Sequence, residues 1–299
     1  MTESVITVQG LSRRFGPKLA LDGVSIDVPR GSVFGLVGAN GAGKTTLIKH
    51  LLGLLRAEAG TVRVFGQDPV ADPVGVLSRI GYLAEDNDLP GWMRVDELMR
   101  YNEAFFPGWD QAYAEKLRQD FDLAPDAKVK HLSRGQRSRA GLVVALAYRP
   151  DLLILDEPSS GLDPIVRRDI LGAVIKTVAD EGRTVVFSSH LLDEVERVSD
   201  HVALLNRGRL GYAGPLDDLK AGHHRLTLRF DGYRPRPPVL DGALAWEGEG
   251  PEWTAVCHGR LVELQAAAEA AGGRVVERSI PSLDEIFVAR VGAAAGADQ

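Results

Sequence analysis

Residues 38–46, Gly-Ala-Asn-Gly-Ala-Gly-Lys-Thr-Thr, combine glycines, a lysine and two hydroxyls in a pattern suited to holding a chain of phosphates. Gly38, Gly41 and Gly43 let backbone N–H groups turn inward around anionic oxygens, and a helix starting there adds the positive end of its dipole. The spacing G-x-x-x-x-G-K-T runs from Gly38 to Thr45 and takes in Asn40 and Ala42. In that spacing Lys44 reaches the β and γ phosphates of a nucleotide and Thr45 offers its hydroxyl to Mg²⁺, with Thr46 beside it. A second element, Leu-Leu-Ile-Leu-Asp-Glu-Pro at 152–158, ends an apolar run in two acids. Such a run reads as a strand buried on both faces, which sets Asp156 and Glu157 at its carboxyl end, the edge where α/β sheets bind ligands. Asp156 is then a candidate Mg²⁺ ligand, and Glu157 a candidate general base for an attacking water.

The elements that must position these residues alternate. Residues 5–65 are strand-rich around the glycine loop and a helix over 45–55, and residues 93–106 and 109–121 have helical spacing. Helical spacing resumes at 133–149, followed by the strand at 151–156, a helix at 164–180, a strand at 184–189, a helix at 191–198 and a hairpin over 201–214. Strand alternating with helix predicts an α/β core. Beyond residue 221 the texture changes: 225–230 alternates, 244–256 suggests a hairpin, 261–273 a helix ended by glycine and 274–280 a strand. The last element starts at Ser282 with Glu285 three residues on, a capping-box spacing. The expected division is a domain at 1–220, with a helical subdomain at about 84–148, and a small α+β appendage at 221–299.

Composition excludes several classes. The chain has 299 residues, and its net charge of −6 argues against binding a nucleic-acid backbone. A single cysteine, Cys257, allows neither an internal disulfide nor a cysteine metal site, as expected in a reducing compartment. No apolar run approaches the ~20 residues of a membrane-spanning helix, and the N-terminal residues do not read as an export leader.

Taken in order, the motifs resemble those of the ATP-binding cassette (ABC) family, specifically the nucleotide-binding subunits of ABC transporters, over about residues 4–219. Leu-Ser-Arg-Gly-Gln at 132–136 resembles the family signature, Ser-Ser-Gly-Leu-Asp-Pro at 159–164 the loop after the second acid, and His190 the switch histidine. The resemblance implies a P-loop NTPase core of ABC type, a mixed sheet with a helical subdomain, that binds ATP and Mg²⁺. It also implies that two cassettes pack head to tail, as a homodimer or a heterodimer. Ser133, Gly135 and Gln136 of one copy would then act on a nucleotide held by the other, with Ser160 and Asp163 at that interface. His190 would contact the γ-phosphate, and Phe15 would stack on the adenine.

Two positions depart from the common family pattern: Arg134 stands where glycine is usual, and Glu85 where glutamine is usual. Glu85 is a further candidate for Mg²⁺. Residues 280–291 resemble the closing segment of cassette subunits from ABC-2 type exporters, including drug-resistance systems. The function this implies is a cytoplasmic ATPase, peripheral on the inner face of the membrane, powering a separately encoded multi-spanning permease. Trp92, Met93 and Tyr101 are candidates to line the permease groove, core packing being the alternative for each. The alternatives are a soluble cassette ATPase acting on ribosomes or DNA, or an importer subunit. One cassette copy and a short insert argue against the first.

Overall fold

The computed structural model describes residues 3–86 and 88–297, the side chains at 174, 176–181 and 293–297 excepted. The chain forms two compact units, Met1–Ala213 and Gly214–Gln299.

In the first unit β1 (Ser4–Phe15) and β2 (Lys18–Pro29) pair antiparallel across a turn at Gly16, and β4 (Ala59–Val64) joins the other side of β1, giving a sheet of order β2-β1-β4. Between these strands the chain makes β3 (Val33–Val37) and α1 (Lys44–Leu51). There follow α2 (Pro73–Leu77), β5 (Ile80–Leu83), α3 (Val95–Glu103), α4 (Gln111–Asp120) and α5 (Arg134–Leu146). Next come β6 (Leu152–Asp156), α6 (Pro164–Glu181), β7 (Thr184–Ser189), α7 (Leu192–Val198), β8 (His201–Asn206) and β9 (Arg209–Pro215). The second sheet has the order β5-β6-β7-β3-β8-β9, and from β5 to β8 each strand runs parallel to the next.

Every residue of β3, β6 and β7 is buried, which is why apolar runs form the centre of each. Register fixes which strand ends meet: Val37 lies opposite Ser189, Ser188 opposite Asp156, and Leu155 opposite Leu83. Four loops therefore leave one edge of the sheet side by side, those after Leu83, Val37, Asp156 and Ser189. Helix α5 packs on β5, where a Cβ at Gly81 would come within 2.3 Å of the Ala145 carbonyl oxygen.

The second unit contains α8 (Leu216–Ala221), β10 (His223–Arg234), β11 (Ala243–His258), α9 (Leu261–Ala270), β12 (Arg274–Ser279) and α10 (Leu283–Ala297). Its sheet is antiparallel, in the order β11-β10-β12. Within β11 the rings of Trp246 and Trp253 meet edge to face at 6.5 Å. A straight strand would separate residues seven apart by about 23 Å, so the chain doubles back there, as the spacing at 244–256 suggests. Leu226, Leu228, Phe230, Trp253 and Leu264 fill its core. Ser282 and Glu285 form the expected capping box at the start of α10, the Ser282 N–H donating to Glu285 Oε2 at 2.8 Å and the Glu285 N–H to Ser282 Oγ at 3.2 Å.

Because the α5 backbone occupies the space above Gly81, a Gly81→Ala variant is expected to lose about 1 to 3 kcal/mol of stability. Urea denaturation of the purified protein measures it, and an unchanged midpoint would contradict this packing.

Candidate active site

The loop from Gly38 to Gly43 works because it carries so little side chain. A Cβ at Gly38 would lie 2.3 Å from the Leu205 carbonyl oxygen at the end of β8, and one at Gly43 would lie 2.6 Å from that of Ala20. Gly43, the N-cap of α1, has φ 113°, a conformation open to glycine and strained for other residues. The first turn of α1 thus presents its N–H groups to a cavity of about 290 Å³. Phe15, Lys18, Ala20, Asn40, Gly41, Ala42, Gly43, Lys44, Thr45, Thr46, Glu85 and Glu157 line it.

Two charges meet at the floor of this cavity. Lys44 Nζ donates to the Gly38 carbonyl oxygen at 2.6 Å and lies 2.9 Å from Glu157 Oε1, both side chains being 6% exposed. That second contact is an ion contact without hydrogen-bond alignment, so Oε1 is a buried oxygen that no hydrogen bond satisfies. Oε2 of the same carboxylate takes a hydrogen bond from His190 Nδ1 at 2.7 Å, which places the ring proton on Nδ1 when Glu157 is ionised. Glu157 itself has φ 47°, in the left-handed region that costs a bulky residue about 1 to 2 kcal/mol. The adjoining strand holds it there. Its N–H donates to Ser188 Oγ at 2.9 Å, and the Ser188 hydroxyl donates to Asp156 Oδ1 at 2.6 Å.

The sequence-derived residues fall into two groups. Phe15, which is 45% exposed, Asn40, Gly41, Ala42, Gly43, Lys44, Thr45, Thr46, Glu85 and Glu157 share the cavity, and His190 reaches it through Glu157. Gly38 closes the loop behind it, and Asp156 is buried beneath, bonded to Ser188. Ser133, Gly135, Gln136 and Asp163 do not line that cavity. Ser133 and Gln136 form a reciprocal capping box on α5, the Gln136 N–H donating to Ser133 Oγ at 3.1 Å and the Ser133 N–H to Gln136 Oε1 at 3.0 Å. Gly135 packs against Val166, and Asp163 caps α6 by accepting from the N–H groups of Ile165 and Val166. Glu85 also faces a second cavity of about 300 Å³, shared with Asp86, Arg134 and Arg137.

Trp92 and Tyr101 are exposed, whereas Met93 is 4% exposed and belongs to the core, a correction to its expected place in a surface groove. Apolar spacing marks a buried face without saying which apolar neighbour is left outside it. Three residues go beyond the motifs. Lys18 brings a second cation to the cavity from the start of β2, Ser188 joins the two acidic positions, and Glu194 is a buried carboxylate on α7. Each arrives from an element remote in sequence. Lys18 follows a Gly-Pro pair that signals only a turn, and Ser188 sits in an ordinary-looking strand.

The oxygens facing the cavity, the Thr45 hydroxyl, the Glu85 carboxylate and the unsatisfied Glu157 Oε1, suit a hard divalent ion, and Asp156 lies beneath them outside the lining. Among the described residues no three His, Cys, Asp or Glu side chains gather into a closed metal cage. An ion here would therefore complete its shell with phosphate oxygens and water.

A glycine-cradled lysine on one strand end and paired acids on a nearby parallel strand end define a P-loop nucleotide hydrolase. Comparison with known proteins narrows the class. A family model described as ABC transporter matches residues 21–160. A daunorubicin resistance ATP-binding protein of Streptomyces coeruleorubidus is 37% identical over 74% of this chain and 71% of its own length. A daunorubicin/doxorubicin resistance ATP-binding protein of Streptomyces peucetius is 32% identical over 96% of this chain and 92% of its own. A solved structure described as the ATP binding subunit of an ABC transporter superposes with a TM-score of 0.67 at 30% identity, covering 73% of this chain and 92% of the other. The chain belongs to the ATP-binding cassette family and is an ATP-binding, ATP-hydrolysing subunit of an ABC transporter.

Ser188→Ala leaves the Asp156 carboxylate and the Glu157 N–H without their shared partner. The expected loss is about 1 to 3 kcal/mol of stability, read from denaturant unfolding; a loss within error would mean that Ser188 does not brace the two acids.

Proposed function

We propose that two copies of this chain close head to tail on ATP and that hydrolysis drives a separately encoded, multi-spanning membrane permease in the direction of export. The observation that carries the paired reading is the separation of the two loops. Ser133, Gly135 and Gln136 stand outside the cavity of their own chain, while Ser133 heads a 13-residue helix whose N-terminus suits an anion. A second copy supplies the nucleotide that such a loop needs.

In this reading an entering triphosphate competes with Glu157 for Lys44, which turns toward the β and γ phosphates, while Lys18 adds positive charge and Phe15 offers its exposed ring to the base. Thr45, Asp156 and Glu85 would hold Mg²⁺, which when bound would offset the negative charge that builds on the phosphates. Glu157, freed at Oε1 and held at Oε2 by His190, takes a proton from the attacking water. The water oxygen bonds to the γ phosphorus as the bond to the bridging oxygen breaks, leaving ADP and phosphate. Contacts from the partner copy to the γ-phosphate exist only before that step, so cleavage removes the differential affinity that favours the closed pair.

Export is supported by the two Streptomyces relatives, both named for resistance to daunorubicin. Among the described residues no helix is long and apolar enough to cross a membrane, and the reading assigns the cargo path to the permease. Exposed Trp92, Tyr101 and Phe105 on the helical region are the surface offered to it, with the protein on the cytoplasmic face of the membrane.

Two experiments test the reading. Ser133→Arg is expected to retain ATP binding by the monomer while abolishing ATP-dependent dimerisation in sedimentation velocity; dimers formed as readily as by the wild type would contradict the head-to-tail arrangement. Tagged Glu157→Gln protein, recovered from native membranes with Mg-ATP, is expected to bring down one multi-spanning membrane protein identifiable by mass spectrometry. Recovery of ribosomal or DNA-bound proteins with no membrane protein would overturn the transport function and leave the hydrolytic chemistry standing.

A further inference from the structure

Glu194 is the buried charged group for which the chemistry above has no use. Its side chain is 2% exposed, on α7, four residues beyond His190. The Ser159 hydroxyl, itself buried and two residues beyond Glu157, donates to Glu194 Oε2 at 2.6 Å. Arg167 of α6 lies 2.9 Å from Oε1 through its Nε, an ion contact without hydrogen-bond alignment. Burying a carboxylate is costly unless it is paired, so its presence here calls for a role beyond filling space.

The connectivity indicates that role. The loops leaving β6 and β7 carry Glu157 and His190, which meet at 2.7 Å. Ser159 lies further along the first loop and Glu194 in the first turn of α7, which follows the second, and the two meet at 2.6 Å, forming a second rung beside the first. This outer rung is tied to a further element through Arg167 on α6, as the inner one is to α1 through Lys44. Glu157 has φ 47° and needs its surroundings to keep it there. Burial pushes the Glu194 carboxyl above its ordinary range, a shift that the Ser159 hydroxyl and then the Arg167 guanidinium oppose without cancelling and that the Asp193 and Glu157 carboxylates reinforce. Ser159 and Arg167 are the two groups that hold the carboxyl in place.

We propose that Glu194 is a positioning residue for hydrolysis: by clamping Ser159 and bearing on Arg167, it fixes the orientation of the Glu157–His190 pair without touching nucleotide. Glu194 and Ser159 do not line the phosphate cavity, so the clamp acts on turnover and spares binding. The inference rests on the assignment of Glu157 and His190 to hydrolysis.

The experiment measures kcat, KM and Mg-ATP affinity for Glu194→Ala, Glu194→Gln, Ser159→Ala and the Ser159→Ala/Glu194→Ala double variant. Misplacement of a catalytic group by about an ångström costs up to a hundredfold, so Glu194→Ala and Ser159→Ala are each expected to lower kcat by about tenfold to a hundredfold, with Mg-ATP affinity within about twofold of wild type. Glu194→Gln keeps an oxygen for the Ser159 hydroxyl and is expected to recover most of that loss. The double variant is expected to be no worse than the worse single variant, because one rung is lost only once. Ser159→Ala removes a single oxygen and keeps the test open if Glu194→Ala fails to fold. Unchanged kcat in Ser159→Ala, losses that multiply in the double variant, or affinity falling in step with kcat would each overturn the proposal. Full turnover by Glu157→Gln would instead sink the hydrolytic assignment itself, so the two failures are distinguishable.

Discussion

Lys44 and Glu157 stand 2.9 Å apart with their side chains almost wholly out of water. Taking two such ions from solvent costs several kcal/mol each unless both are paired and hydrogen-bonded. The structure meets that cost piecemeal. Lys44 is held by the Gly38 carbonyl, Glu157 by His190, and the Glu157 backbone by Ser188, which in turn holds Asp156. The remaining gap, the unsatisfied Oε1 of Glu157, lies beside the lysine that a phosphate would claim. In the proposed mechanism the same contact that balances charge at the floor of the cavity is the one ATP disrupts to prepare the base.

That contact depends on register. Parallel pairing of β3, β7, β6 and β5 brings four loops to one edge, and the fully buried strands leave no freedom for a one-residue slip, which would turn every side chain to the other face. The glycines of the loop extend the same constraint. With backbone oxygens of Leu205 and Ala20 where side chains would otherwise be, the loop lies against β8 and β2. The strained Glu157 is affordable because strand, loop and helix over-determine its position.

How much of this could be read from the sequence depends on how local the chemistry is. Lys44 and Thr45 announce themselves because their whole phosphate cradle is contiguous, and Asp156 and Glu157 because an apolar run can end only at a strand edge. His190 is legible because it follows a buried strand directly. Ser188 and Lys18 were not, since nothing around either distinguishes it until the sheets bring it to the site. Glu194 could be seen as a helical acid but not as a buried one. Met93 shows the limit from the other side: its apolar neighbours Trp92 and Tyr101 are exposed, while it is packed within the core. In the second unit the alternation at 225–230, the pattern at 244–256 and the Ser282–Glu285 spacing indicated strands, a fold-back and a capped helix. They carried no chemistry, and no site follows from them.

The most direct test of the account is the turnover of Glu157→Gln compared with wild type, measured beside equilibrium Mg-ATP binding on the same preparations. The amide keeps the side chain's size and removes its capacity to accept the water's proton, so hydrolysis is predicted to fall by at least about a hundredfold while ATP binding persists. Turnover near the wild-type value with intact binding would show that the carboxylate between Lys44 and His190 is not the base, and the account built on that contact would fail.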